Sequence, residues 1–253
     1  MATYQHGMFV WRELMTSDAE AALRFYTELF GWKAKAVPLP GNTYYLLHVG
    51  DKQVGGVMKM AADMTMPPAW SSYVSVPNVD DACAKAKADG GQVVWGPVDM
   101  ENVGRMAGLV DAQGAVLFVM KGVHGDMPYA TPKPGEFCWE QLNTTDVAAA
   151  KKFYGDVCGW NTKAMEGAPG TEVFGIGTLG QGEQTATLMQ GPPGVPAHWL
   201  TYVVVDKLAP ARERATRLGG KVMIEKIDVP KIGSFAVLQD PQGATLCIFE
   251  SAF

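Results

Sequence analysis

Residues 9–16 mix aromatic and apolar side chains with polar ones, as a half-buried strand does. Ser17 follows as a favoured helix N-cap, and Glu20, three residues on, completes a capping-box pattern. Ala22, Phe25, Tyr26 and Leu29 then recur at i, i+3, i+4 and i+7. That single apolar stripe predicts a helix to about Phe30, closed by Gly31. Further on, the pattern predicts strands over 43–50, 53–60 and 70–76, then a short helix over 80–89 that stops at Gly90-Gly91. Strands over 93–97, 105–110 and 116–120 complete the run. Asp111 to Gly114 reads as a hairpin turn, with glycine where a positive φ is tolerated.

The same pattern returns. FVWRELMTSDAEAALRFYTELFGW, residues 9–32, is answered by FCWEQLNTTDVAAAKKFYGDVCGW, 128 positions on (from 9 to 137), without a gap. Trp70 is answered by Trp199, Gly90-Gly91 by Gly219-Gly220, and Asp111…Gly114 by Asp240…Gly243. A period this long marks two copies of a whole module rather than a solenoid of small repeats. The expected organisation is a first module over 5–121, a linker over 122–135 and a second module over 136–253. The linker is rich in proline and glycine and is expected to be semi-extended with little reason to pack. The segments 34–66 and 162–195 differ by short insertions and read as loop-tolerant.

Composition narrows the function classes. Of 253 residues, 47% are hydrophobic, enough for a packed core, and the formal net charge of −5 leaves no basic stripe for nucleic acid. No run approaches a membrane span, and the N-terminus has no apolar signal segment. Cys83, Cys138, Cys158 and Cys247 form no CxxC and do not repeat between modules, so they read as free thiols. A cytoplasmic protein with a small-molecule ligand, no nucleic-acid or membrane partner, and a monomeric or homodimeric state is expected. No GxSxG, P-loop or GxGxxG is present. The glycines at 175, 177, 180 and 182 read as a loop.

Asp18, Ala21-Ala22, Phe25-Tyr26 and Phe30-Gly31-Trp32, repeated as Asp146, Phe153-Tyr154 and Gly159-Trp160, carry a resemblance, as do the turns at Asp111…Gly114 and Asp240…Gly243. Together they resemble the vicinal oxygen chelate superfamily, which holds the glyoxalases, extradiol dioxygenases and bleomycin-resistance proteins. The resemblance covers nearly the whole chain outside the linker. It implies an α+β fold of tandem βαβββ units, duplicated within one chain, in paired half-barrels of mixed sheet. Metal-dependent members hold a divalent ion inside the resulting cup. Their three usual ligand positions fall here on Trp11, Ser71 and Phe118 in the first module, and on Trp139, Leu200 and Cys247 in the second. Imidazoles and carboxylates are the usual ligands, and neither set supplies one.

The expectation is therefore no cofactor, no metal residue, and a cup that binds a small hydrophobic or aromatic molecule, as the bleomycin-resistance branch does by sequestration. Trp11 and Trp139 suit a flat ligand; the plainer reading is packing. Gln141 shares the face of Trp139, His198 that of Leu200, and Ser71 and Phe118 complete the candidate lining. Glu13 shares the face of Trp11 and is the candidate general base if desolvated; otherwise it is a rim carboxylate paired with Arg12 or Arg105. Arg105 could grip an anionic ligand, or sit at the surface. His48 is a candidate ligand-binding residue or simply a hydrogen-bonded strand residue. His6 and His124 receive no role, and the methionines 58, 60, 64 and 66 read as flexible packing under a loop. The alternative is a divalent-metal lyase, isomerase or dioxygenase in which Glu13, His48 and His198 gather Zn, Ni, Mn or Fe. A third reading is a protein-interaction or antigen-type role with no small ligand. The sequence does not decide whether a reaction is catalysed.

Overall fold

The computed structural model describes residues 2–64, 66–128, 130–166, 168–176 and 184–252. The first repeat runs β1 (Phe9–Thr16), α1 (Ala19–Phe30), β2 (Lys33–Leu39), β3 (Asn42–Val49), β4 (Lys52–Lys59), β5 (Ala69–Ser75), α2 (Val79–Ala88), β6 (Gln92–Met100), β7 (Gly104–Val110) and β8 (Val116–Gly122). The second runs β9 (Phe137–Thr144), α3 (Val147–Cys158), β10 (Asn161–Ala164), β11 (Thr171–Gly175), β12 (Gln184–Gln190), β13 (His198–Val204), α4 (Leu208–Arg217), β14 (Lys221–Val229), β15 (Gly233–Gln239) and β16 (Thr245–Ser251). They form two mixed eight-stranded sheets, ordered β2-β3-β4-β1-β5-β8-β7-β6 and β10-β11-β12-β9-β13-β16-β15-β14. The α+β class and the duplicated βαβββ order hold. No helix of the described residues is long and apolar enough to cross a membrane.

Two local expectations change. The helix N-cap is Asp18, whose Oδ1 accepts from Ala21 N at 2.9 Å, and Asp146 repeats this with Ala149 N at 3.0 Å. A carboxylate reaches the orphan amide and also suits the positive end of the helix dipole. Residues 33–39, which the sequence leaves as loop, form β2 on the sheet edge, exposed at most positions and paired antiparallel with β3. An edge strand solvated on both faces carries no apolar alternation to read. The glycines 177, 180 and 182 lie outside the described residues.

The chain forms two compact units, and each mixes the two repeats. Unit 1 holds Met1–Trp11, Ser72–Ala130 and Glu140–Trp199; unit 2 holds Arg12–Ser71, Thr131–Trp139 and Leu200–Phe253. In unit 2 the α1 stripe of Ala22, Phe25, Tyr26 and Leu29 buries with Leu14, Leu47 and Val57, and with Val203, Ala211, Ala236 and Leu246 from the other repeat. In unit 1 the matching α3 residues Ala150, Phe153, Tyr154 and Val157 bury with Ala82, Ala107, Leu109 and Leu117.

The recurring motifs meet in these cores. In unit 2, Trp70 Nε1 donates to the Tyr26 hydroxyl at 3.0 Å, which donates to Asp240 Oδ2 at 2.9 Å. Asp240 Oδ1 accepts from Gln242 N and Ala244 N, each at 2.9 Å, and so also shapes its own turn. Unit 1 repeats the chain as Trp199 to Tyr154 to Asp111, with the same distances of 3.0 and 2.9 Å. Burying polar groups is tolerable because each finds a partner. Desolvation raises both phenols well above their ordinary range, with the neighbouring carboxylate adding to it.

The joining segment is also pinned, contrary to the expectation that it would pack little. Asp126 Oδ2 accepts from Gln5 N at 2.7 Å and from Ser75 Oγ at 2.6 Å, and His6 Nδ1 lies 3.2 Å from the same serine. Glu136, the first residue after the segment, is buried, pairs with Lys52 at 2.6 Å and accepts from Lys133 N at 3.4 Å. Trp32 Nε1 donates to the Gly135 carbonyl at 2.6 Å. Asp126, the Gly135 carbonyl and the neighbouring Glu136 give a proline-rich segment the partners that its composition does not suggest.

Candidate functional site

In unit 1, strands β5, β8, β7 and β6 turn one face to the helices. Val74, Leu117, Val119, Ala107 and Leu109 are buried there. The alternate positions present Tyr73, Phe118, Gly108 and Met106 on the other face. Tyr73 is paired in register with Phe118, and Phe118 with Gly108. The Tyr73 and Phe118 rings stack at 4.7 Å and 28°. Trp95 lies opposite Gly108 in the β6–β7 ladder and approaches Phe118 at 6.2 Å. A Cβ on Gly108 would stand 2.9 Å from Phe118 Cε1, so the absent side chain is what lets that ring lie across β7 towards Trp95. Tyr73 is 5% exposed and Trp95 42%: the aromatic row is anchored at one end and open at the other.

Unit 2 carries the matching strands β13, β16, β15 and β14 and fills the same face differently. Leu200, Tyr202, Phe235, Val237 and Cys247 form an apolar cluster separate from the helix-facing core, with Trp139 and Phe249 half-buried against it. Val237 stands where the first copy has Gly108, and Cys247, fully buried, where it has Phe118. Ile224 and Ile227 lie opposite Val237 and Phe235, in the places of Trp95 and Val98. Tyr202 keeps an edge-on contact with Phe235 at 5.2 Å. This face keeps aromatic rings, but none stands at the places of Phe118 and Trp95, which Cys247 and Ile224 take.

The polar candidates are distributed between the units. In unit 1, Gln141 and His198 are joined through Asn143, a residue the sequence reading passed over. Gln141 Nε2 donates to Asn143 Oδ1 at 3.0 Å, and Asn143 Nδ2 lies 3.3 Å from His198 Nε2. His198 Nδ1 is 2.8 Å from the Pro196 carbonyl. Arg105 sits on the opposite parity of β7 from Met106. Its Nη2 and Nη1 meet Asp80 and Asp99 at 2.8 and 2.7 Å, so both carboxylates occupy the guanidinium that could have held a ligand. Trp11 is half-buried on β1.

In unit 2, Glu13 is buried on β1, on the face opposite the core residue Leu14, and pairs in register with Gly56. The Tyr44 hydroxyl fills the space above Gly56, where a Cβ would stand 2.0 Å from it, and so arrives next to that carboxylate's strand position. Ser71 is buried at 6% exposure. His48 Nδ1 lies 3.2 Å from the carbonyl of Leu46 on its own strand.

The donor chemistry of the family's usual metal positions can be tested on this geometry. Trp11, Ser71 and Phe118, and Trp139, Leu200 and Cys247, offer no imidazole or carboxylate, and Cys247 is enclosed by apolar neighbours. Among the described residues no three His, Cys, Asp or Glu side chains form a group that could hold a metal ion, Glu13, His48 and His198 included. These residues do not fit a divalent ion at the usual place.

Comparison with known proteins agrees with the duplicated architecture. Residues 8–116 match the glyoxalase/bleomycin resistance protein/dioxygenase superfamily, and residues 140–249 match the glyoxalase-like domain. The chain is 33% identical to "Putative glyoxylase CFP32" of Mycobacterium tuberculosis, over 98% of this chain and 97% of that one. It is 30% identical to the anthracycline biosynthesis protein DnrV of Streptomyces peucetius, over 99% and 95%. The fold is similar to the Mn(II)-bound glyoxalase from Novosphingobium aromaticivorans, with a TM-score of 0.61 and 14% identity over 97% of this chain and 82% of that one. It is also similar to the 2,3-dioxygenase LapB from Pseudomonas sp. KL28, at 0.63 and 11% over 100% and 94%. The chain belongs to the glyoxalase/bleomycin resistance protein/dioxygenase superfamily, with one such domain in each repeat.

Proposed function

We propose that the protein binds a small planar aromatic molecule by stacking on the β5-β8-β7-β6 face of unit 1, without a metal ion. The observation that carries this reading is the row Tyr73–Phe118–Trp95, laid across Gly108 and ending in a large indole that is 42% exposed. An exposed tryptophan at the end of a buried stack offers a flat ligand one more ring to continue on. The donor chemistry fits the same reading: Phe118 stands where a family ligand would be and contributes to the stack instead. DnrV is named for anthracycline biosynthesis, and a planar polycyclic ligand suits this face. Binding without chemistry is the function this geometry supports best.

The test is titration with 9-anthracenemethanol, read by tryptophan fluorescence. Wild-type protein is expected to quench with saturation. Trp95→Ala is expected to weaken binding about tenfold, which corresponds to about 1.4 kcal/mol. A Trp95→Ala protein that binds the probe as wild type does would sink the proposal. So would near-stoichiometric Zn, Mn, Ni or Fe in protein purified without chelator, which would restore the metal-enzyme reading.

A further inference from the structure

We infer that the arene bound on the unit 1 face carries a hydroxyl group, and that His6 Nε2 accepts the hydrogen bond from it. The inference rests on the stacking reading above and adds the polar end of the ligand to it.

Ser75 comes two residues after Tyr73 on β5 and turns to the same face. It stands in register with Met120, Met120 with Met106, and Met106 with Val98. This second row runs beside the aromatic one, roughly 7 Å further along the strands. The chain ahead of β1 closes against its β5 end. Gly7 N donates to the Ser75 carbonyl at 2.7 Å, and Ser75 N to the Met8 carbonyl at 2.9 Å. His6 is thereby set at Ser75, with Nδ1 3.2 Å from Oγ. Met106 is buried and Met120 half-buried, so the floor beside the rings is apolar and adaptable.

Counting donors fixes the direction of the imidazole. The Ser75 hydroxyl gives its one hydrogen to Asp126 Oδ2 at 2.6 Å, an oxygen that also accepts from Gln5 N at 2.7 Å. Towards His6, Ser75 Oγ can then only accept, and Nδ1 must carry the hydrogen. In the neutral ring the lone pair is therefore on Nε2, which meets no hydrogen-bond partner among the described residues. The ring is half-buried. Tyr4 stacks on it at 5.2 Å and 13°, and the Tyr4 hydroxyl donates to the Gly122 carbonyl at 3.0 Å. An acceptor already held in this way loses little freedom when a ligand arrives. A hydroxyl on the arene supplies the hydrogen that it needs, whereas ether and carbonyl oxygens only accept.

The second repeat cannot build this acceptor, because Pro134 and Val204 stand at the places of His6 and Ser75. The aromatic row is lost in the same repeat, where Cys247 and Ile224 take the places of Phe118 and Trp95. Both departures fall on one sheet face of unit 1, as a single ligand that uses both would require.

2-Naphthol is the probe, with 2-methylnaphthalene as the partner of matching shape in which a methyl replaces the hydroxyl. Both are titrated into the ¹⁵N-histidine-labelled full chain at about pH 8, where an imidazole is neutral and an aromatic hydroxyl keeps its proton. The His6 Nε2 resonance is identified as the one lost in His6→Phe. 2-Naphthol is expected to move it upfield, as accepting a hydrogen bond does, and 2-methylnaphthalene to leave it nearly in place. The ratio of the two affinities is the second readout. His6→Phe keeps a ring against Tyr4, and is expected to shift that ratio against 2-naphthol by at least about fivefold. Trp95→Ala is expected to weaken both probes together and to keep the ratio. If both probes bind in a Trp95-dependent way, yet the Nε2 resonance stays in place or a folded His6→Phe protein keeps the wild-type ratio, the inference falls and the stacking reading stands. If neither probe binds, or Trp95→Ala binds both as wild type does, the stacking reading falls and takes the inference with it.

Discussion

Unit 1 and unit 2 hold the same four-strand arrangement and the same buried Trp–Tyr–Asp chain, yet their open faces part where unit 1 lays Phe118 across Gly108 to Trp95. The buried chains agree to a tenth of an ångström in both of their side-chain hydrogen bonds. On the open faces Gly108, Phe118 and Trp95 are answered by Val237, Cys247 and Ile224. The difference separates two kinds of constraint. A buried hydrogen-bonded group cannot change without leaving its partners unsatisfied, at about 1–3 kcal/mol each. A residue on an open face meets only a ligand or its neighbours, so the two copies can diverge there. What repeats is scaffold, and what differs between the copies is where recognition is expected.

The largest effect that would break the comparison is loss of folding. Each unit takes its tyrosine-bearing helix from one repeat and the aspartate turn that caps that tyrosine from the other: Tyr26 reaches Asp240, and Tyr154 reaches Asp111. Expressed separately, 1–121 and 122–253 are each expected to lack a cooperative melt by circular dichroism, because each carries two half-cores with their apolar faces uncovered. Mixing the two is expected to restore a single transition. A cooperative melt for either fragment alone would show that the repeats, and not the mixed units, are the folding domains.

Alkaline pH probes the buried chains at the next scale. Tyr26 and Tyr154 have phenols raised in the fold, first by desolvation and then by Asp240 and Asp111 respectively. A raised phenol keeps its proton in the folded state after the unfolded chain has lost it. Its stabilisation is therefore fully present below pH about 10 and falls as pH rises above that, by about 1.4 kcal/mol per pH unit for each tyrosine. The buried Cys158 thiol, pushed up by desolvation, adds a slope of the same sign from a lower starting pH. Urea midpoints between pH 9.5 and 11 are expected to fall steeply, and Tyr26→Phe is expected to remove about 1.4 kcal/mol per unit of that slope. An unchanged slope in Tyr26→Phe would mean that the phenol is not buried as described. Asp240 carries the same sign in the acid range: burial raises its carboxyl, so acidification through that range binds its proton first in the folded state and adds stability.

Much of this scaffold is legible in the sequence, because the residues that make it are buried and repeated. Phe25-Tyr26, Trp70 and Asp111…Gly114 stand out at one spacing, and β1, α1 and β5 follow from their apolar patterns within a residue or two. The mixing of the repeats is not legible, since a spacing of 128 or 129 says that two copies exist and not which halves pack together. Trp95 escapes for a local reason. It belongs to an apolar run, Val93 to Trp95, and the β6–β7 register shifts on both sides of it, so no period-two signal assigns its face. Asn143 escapes because an amide at a strand end has no pattern of its own; the neighbouring Gln141 and His198, 57 positions apart (from 141 to 198), meet through it only in three dimensions.

The smallest effect sharpens the comparison on the open faces, and it turns on one missing side chain. Gly108→Val gives unit 1 the residue that unit 2 has at this place. The new Cβ would stand 2.9 Å from Phe118 Cε1 and 3.4 Å from Trp95 Cβ, so the Phe118 ring must shift. Overpacking of this kind costs about 1–3 kcal/mol, less where the clashing atom can swing aside. Phe118 can swing, because its far side faces away from the helix-facing core, and a stability loss near 1 kcal/mol is expected from thermal melts. The ligand effect is larger than the stability effect. Displacing Phe118 breaks its stack with Tyr73 and its approach to Trp95 together, so binding of 9-anthracenemethanol is expected to fall at least tenfold. The converse change, Val237→Gly, opens a gap with Cys247 rather than a phenylalanine at the place of Phe118, and is expected to create no affinity for the probe. If Gly108→Val folded and bound the probe undiminished, the glycine would serve strand packing alone, and the aromatic row would lose its claim to be the site.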